Sequence, residues 1–310
     1  MKIRPSKNTP PAGQARPLSR FKILPNGVKT AHISGVQIES QGINYVDDLL
    51  AHIELPLVKM QEVGSQTEPC FYIRHDVDHS IERALAIAKV EADYGYSSTF
   101  FMLPPGSYPG ESGRTNYYGS ISRTGVVSHT NLFADQCKKI IDFGHDIGFH
   151  NDLVSLSLLF GICPREFLEK ELEWFNLHGI KLTGTAAHGS YLARELKFNN
   201  KEIFNGCIRK DWDVGRIISY NNQQVKLHDL ELDDFDLEYE AYSLPRDSRI
   251  SDSGGKWGGR IDAKRLPREE LLERFDLSVF KEHMSLASRD SDIKAFSIMT
   301  HPVYWEPIFR

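Results

Sequence analysis

From about Phe71 onward, hydrophobic and polar positions alternate in blocks: a short apolar run, a polar loop, then an amphipathic stretch. That succession predicts βα units wound around a parallel sheet. FYIRHD is followed by SIERALAIAKVEADYG, where Ile81, Leu85, Ala88 and Ala92 recur at helical spacing and Gly95 can end the helix. The next strand is predicted at SSTFFML. Residues 104–130, rich in Gly, Ser and Pro, are too many for a simple connection and predict a lid or a wall of a binding site. NLFADQCKKIIDFG predicts a helix closing on Gly144, DIGFH a strand, PREFLEKELEWFNLHG a helix and KLTGTAAH a strand.

The signal weakens between residues 199 and 247, where VKLHDLEL and LEYEAYSL are candidate strands. RISDSGGKWGG reads as a short strand entering a glycine-rich loop, residues 267–287 as a helix, and KAFSIMTHPVYW as the final strand. Residues 1–22, carrying Pro, Ser, Lys and Arg, cannot bury enough apolar area to offset chain entropy and predict a flexible basic arm. The remainder, 23–310, is expected to form a single α/β domain.

Composition narrows the function classes. With 310 residues, 40% of them hydrophobic, the chain can bury a sizeable core. A net charge of -5 offers no basic field for nucleic acid, and no apolar run approaches the roughly 18 residues of a membrane span. Cys70, Cys137, Cys163 and Cys207 lie far apart with no C-x-x-C pair, so a cysteine-rich zinc site is not expected. The N-terminal stretch lacks the apolar segment of a secretory signal, which makes the cytoplasm the expected location.

The chemistry gathers at strand ends. Asp76 and Asp78 follow FYIR, His150 follows DIGF, His188 follows KLTGTAA, and His301 follows AFSIMT. In a parallel barrel such ends converge on one face, and a closed barrel brings the last strand, with His301, beside the first. Asp and His donors suit Zn²⁺ or a related divalent ion, and a second carboxylate beside an activated water can serve as general base. Arg74 is either the charge partner of one aspartate or a surface residue. His75 and His79 alternate away from the pair on a strand and are expected to be structural or supporting.

Taken in order, RHDVD, GHDIGFH, the HGSY loop and the terminal THP resemble the polysaccharide deacetylase family, the NodB-homology carbohydrate esterases, in its divergent branch associated with surface-polysaccharide biosynthesis. The resemblance covers about Phe71 to Trp305. It implies a distorted, often seven-stranded (β/α) barrel and metal-dependent removal of acetyl groups from sugars. It also implies Asp76 as catalytic base, Asp78 and His150 as metal ligands and His301 as the group that protonates the leaving atom. Val154 stands where the family's second metal histidine is expected, leaving His188, in HGSY, and Asp152 as candidate substitutes.

HGSY occupies the place of the family's arginine-proline-tyrosine loop, which makes Tyr191 a substrate-contact candidate. In SDSGGKWGG, Asp252 and Trp257 can hold a sugar by hydrogen bonding and ring stacking; equally, DSGG is a tight turn with Trp257 capping the core. The implied partner is an acetylated sugar, nucleotide-sugar or lipid-linked glycan. Two other readings stand beside this one. A deacetylase-like scaffold with a degraded site is motivated by Val154, and a nucleotide-sugar glycosyltransferase by the D-x-D of Asp76 and Asp78.

Overall fold

Strand β1, Cys70–Val77, is buried along its whole length, as the interior strand of a sheet covered on both faces must be. In the computed structural model it lies in the middle of a parallel sheet with Thr99–Met102 (β2), Asp146–Asn151 (β3), Gly184–Ala187 (β4), Tyr239–Glu240 (β5), Ser248–Ser251 (β6) and Ala295–Thr300 (β7). The order is β5-β4-β3-β2-β1-β7-β6, and two short antiparallel strands, Gly258–Ile261 and Lys264–Arg265, extend the sheet beyond β6. The structure describes residues 55–304 except 109, 208–214, 247, 253–257, 262–263 and 266–294, together with the backbone of Lys22–Ile23, Lys29–Ile33 and Val36–Glu39. The expected arm over 1–22, save Lys22, and the expected helix over 267–287 lie outside the described residues.

The seven parallel strands curl into a half-barrel, and among the described residues no strand pair joins its two edges. The last strand nonetheless pairs with the first. Met299 lies opposite Arg74 and Thr300 opposite His75, which brings His301 level with Asp76.

The two-residue period of a strand sorts β1 into two faces. Phe71, Ile73 and Val77 join Phe100, Phe149, Phe296 and Ile298 in the main core beneath the helices. Tyr72 faces the inside of the curl with Phe101, Ala186 and Tyr239, and Arg74, Asp76 and Asp78 continue that inner row toward the strand's carboxyl end.

The helices Ile81–Asp93 (α1), Phe133–Asp142 (α2) and Pro164–Leu177 (α4) form where the periodicity predicts them. Ser80 caps α1 by accepting from the Arg83 N–H, and Pro164 starts α4 where no N–H is needed. Leu153–Phe160 (α3) is a helix that the pattern did not announce, because LVSLSLLF is apolar on nearly every side.

VKLHDLEL gives no strand of the main sheet. Its first residues close an antiparallel hairpin, Ile217–Tyr220 with Gln223–Lys226, which packs on α3. Asn221 and Asn222, both at positive φ, make the turn. Residues 104–130 hold a small hairpin, Gly119–Ile121 with Val127–His129, and wall one side of the strand ends. No helix among the described residues is long and apolar enough to cross a membrane.

Candidate active site

Six strand-end residues meet at the carboxyl edge of the sheet. Asp76 is clamped by Arg74, whose Nε and Nη2 donate to Oδ1 at 2.6 Å and to Oδ2 at 2.8 Å. The guanidinium is buried between the rings of Phe101 and Tyr242 and also donates to the Ala187 carbonyl at 3.3 Å. Burial pushes the Asp76 carboxyl up, but Arg74, with His150 and His301, outweighs it and holds the group below the ordinary carboxylate range. Asp76 is therefore a fixed carboxylate at neutral pH.

Asp78 and His150 form the centre. His150 Nδ1 donates to the Ala186 carbonyl at 2.7 Å, which leaves Nε2 of the neutral ring without a proton. That bare nitrogen stands 3.3 Å from Asp78 Oδ1, and neither atom has a hydrogen-bond partner among the described residues. Asp78 Oδ2 accepts from the Tyr108 hydroxyl at 3.0 Å, a residue of the 104–130 wall.

Burial raises the Asp78 carboxyl, yet the surrounding His150, His188 and His301 rings bring it well below its usual range when they carry charge. With His150 neutral, two acceptors face each other in a site where Asp78 is only 8% exposed and His150 1%. Buried acceptors in that relation need a cation or a proton between them.

Two further histidines flank Asp78. His301 Nε2 is 3.8 Å from Asp78 Oδ2 and 4.0 Å from Asp76 Oδ2. Its Nδ1 donates to Asp252 Oδ1 at 2.5 Å, and its backbone N–H donates to Asp252 Oδ2 at 2.9 Å. Burial lowers the imidazole, but Asp252 and the two site aspartates carry it up to about 9. His188 Nε2 is 3.8 Å from Asp78 Oδ2, with Nδ1 3.5 Å from Asp152 Oδ2. His79 packs at a tilt against the Tyr108 ring, centroids 4.7 Å apart, and is held down to about 4, mainly by burial.

The expected site residues divide accordingly. Asp76, Asp78, His150, His188 and His301 come together. Asp252, expected to face a sugar, is fully buried, with both carboxylate oxygens on His301, because residue 252 follows β6 directly and sits beside the end of β7. Asp152 lies under His188. Tyr191 opens the short helix Tyr191–Glu195, half-buried beside Tyr220, which with burial pushes its phenol up. Trp257 lies outside the described residues. Val154 is fully buried in the main core.

Two participants escaped the sequence reading. Tyr108 carried one weak signal, an aromatic residue in an overlong loop. Asn200, which donates to Asp152 Oδ1 at 2.6 Å and to the His188 carbonyl at 2.9 Å, carried none.

Among the described residues, no three His, Cys, Asp or Glu side chains are already spaced as a complete metal centre. The donor pair Asp78 Oδ1 and His150 Nε2 nevertheless fits a divalent ion: one carboxylate oxygen and one imidazole nitrogen, both buried, both unpartnered, each oriented by a second contact. Comparisons with family models, with curated proteins and with solved structures find no match for this chain.

Proposed function

We propose that the protein is a metal-dependent hydrolase that removes an acetyl group from a sugar or sugar conjugate, with the distorted NodB-like barrel implied by the sequence resemblance. The observation that carries this reading is the face-to-face pair of unpartnered buried acceptors, Asp78 Oδ1 and His150 Nε2, flanked by a carboxylate and a proton-bearing histidine. Asp78 and His150 would hold a divalent ion of the Zn²⁺ type, which supplies Lewis acidity toward an acetyl carbonyl and lowers the pKa of water.

The chain's own residues divide the proton work. Asp76, fixed by Arg74, takes a proton from the attacking water through Oδ2, the oxygen that faces His150 and His301. The Arg74 clamp weakens Asp76 as a base but fixes its direction. His301 gives its Nε2 proton to the departing amine or alkoxide, while Asp252 holds the Nδ1–H and favours the charged ring. The substrate would enter past Tyr108 and the 104–130 wall.

A glycosyltransferase reading of Asp76 and Asp78 would leave His150, His188 and His301 without a role, although all three converge on those carboxylates.

Elemental analysis of protein purified without chelator is the first test. Near-stoichiometric metal in the wild type, lost in Asp78→Ala and His150→Ala, is the expected result; a wild type that takes up no added Zn²⁺ overturns the proposal. In acetate-release assays on acetylated sugars and nucleotide-sugars, Asp76→Asn should keep its metal and lose on the order of 10²–10⁴-fold in rate.

A further inference from the structure

Resting on the hydrolase reading, we infer that His188 is the third metal ligand of this site, and that Asp152 and Asn200 form a purpose-built support that aims it. A third donor is needed because a Zn²⁺ site open to substrate takes three protein ligands, and Asp78 with His150 supplies two. Val154, in the first turn of α3, is fully buried among apolar side chains and has no donor to offer.

The neighbouring strand end offers one. His150 is paired with Ala186 across β3 and β4, so His188 emerges two residues further along the adjacent strand, and its backbone N–H is fixed on the Asn151 carbonyl at 2.7 Å. The His150 and His188 rings then approach edge to face, centroids 5.2 Å apart, on one side of Asp78. His301 reaches Asp78 from β7, on the opposite flank of β1 in the strand order.

The support distinguishes a ligand from a stray core histidine. His188 Nδ1 and Asp152 Oδ2 face each other at 3.5 Å, both buried and, among the described residues, neither hydrogen-bonded. A proton on Nδ1 directed at Asp152 leaves the Nε2 lone pair turned toward Asp78. Asp152 is fully buried, and its other oxygen is fixed by Asn200 Nδ2 at 2.6 Å. The same amide nitrogen donates to the His188 carbonyl at 2.9 Å, so one fully buried asparagine ties both members of the pair. Asn200 is itself held, its carbonyl accepting from Asn151 Nδ2 at 2.9 Å and its Oδ1 accepting from the Ser155 N–H at 3.2 Å.

A carboxylate behind a histidine that faces a carboxylate is the arrangement that fixes the tautomer of a metal-bound imidazole. His301 differs. Its Nδ1 bond to Asp252 is 1.0 Å shorter (3.5 against 2.5 Å), as suits a ring that carries and delivers a proton.

The test measures Zn²⁺ affinity by competition with a chromophoric chelator, and the visible spectrum of the Co²⁺-loaded protein, in the full chain. The variants are His188→Ala, His188→Asn, Asp152→Asn and Asp78→Ala, each checked for fold by circular dichroism. Loss of at least 10²-fold in affinity for both His188 variants, with an altered Co²⁺ spectrum, is expected. Asp152→Asn should lose about 10–100-fold while keeping full stoichiometry at saturation.

If either folded His188 variant binds Zn²⁺ as the wild type does while Asp78→Ala loses it, the third-ligand assignment is wrong and the hydrolase reading stands. If Asp78→Ala also binds normally, the hydrolase reading falls with it. His188→Asn is included because an alanine at this buried position risks collapse of the pocket; a folded asparagine variant alone decides the outcome.

Discussion

Two buried histidine–carboxylate clusters lie on opposite faces of β1, and they are built from the same residue types. On the helix side, His75 contacts Thr300 Oγ1 at 2.6 Å and Glu91 Oε1 at 2.9 Å, Ser98 Oγ donates to Glu91 Oε2 at 2.6 Å, and His145 accepts the Ser98 N–H at 3.0 Å while donating to the Ala88 carbonyl at 2.8 Å. Both rings there have a partner at each nitrogen. On the inner side, Asp78, His150, Asp152 and His188 each leave a buried atom without a hydrogen bond among the described residues. Residue type alone does not separate the closed cluster from the open one; the completeness of its hydrogen bonding does.

The largest difference should come from cutting the closed cluster. Glu91→Ala leaves His75 and Ser98 without their acceptor and removes a fully buried carboxylate, so about 3–5 kcal/mol of stability should be lost in urea titration, with metal binding per folded molecule unchanged. Metal dependence should follow the open cluster instead. Zn²⁺ at 100 times its Kd should stabilise the wild type by about 2.7 kcal/mol, Ser98→Ala by the same increment, and Asp78→Ala not at all, in thermal melts with and without chelator. A shared increment across all three proteins would erase the distinction between the clusters. Ser98→Ala by itself should cost about 1–2 kcal/mol, since Glu91 Oε2 loses one neutral donor.

The subtlest contrast is in pH. Burial holds His145 below its ordinary value against the opposing pull of Glu91, so its contribution is present above about 6.5 and is lost as pH falls below that value. Glu91 is pushed up by burial, but His75, His145 and Ser98 outweigh this and depress it, so its contribution too disappears on acidification, below the ordinary glutamate range. Among the described residues, the groups facing these two include His75, Ser98, the Ala88 carbonyl and Lys59.

His301, raised to about 9, runs the other way in metal-free protein. Its contribution is complete below about 6.5 and is lost as pH rises through about 9. Stability measured against pH in chelator should show both limbs, and Asp252→Asn should flatten only the alkaline one.

Much of this was legible in the chain. The alternation FYIRHDVD puts Asp76 and Asp78 on one face and His75 on the other, and period two requires no more than that β1 is a strand. The strand-end positions of His150, His188 and His301 followed from the apolar runs before them. Helix α3 was hidden because a helix buried on all sides has no amphipathic period to read. Asp252 was misdirected by its glycine-rich surroundings, which suggest a binding loop, whereas strand order seats it beneath His301.

The sequence by itself determined which residues end strands and which face of each strand they occupy, because those properties are local and periodic. It also determined that five polar side chains, at four strand ends, must be buried near one another if the strands are parallel. Only the tertiary structure decided which of them touch. The register of β7 on β1 set His301 against Asp76, the adjacency of β3 and β4 brought His188 to His150, and the distant Asn200 locked Asp152 in place. Contacts between segments far apart in the chain depend on strand order and register, and no local pattern encodes either.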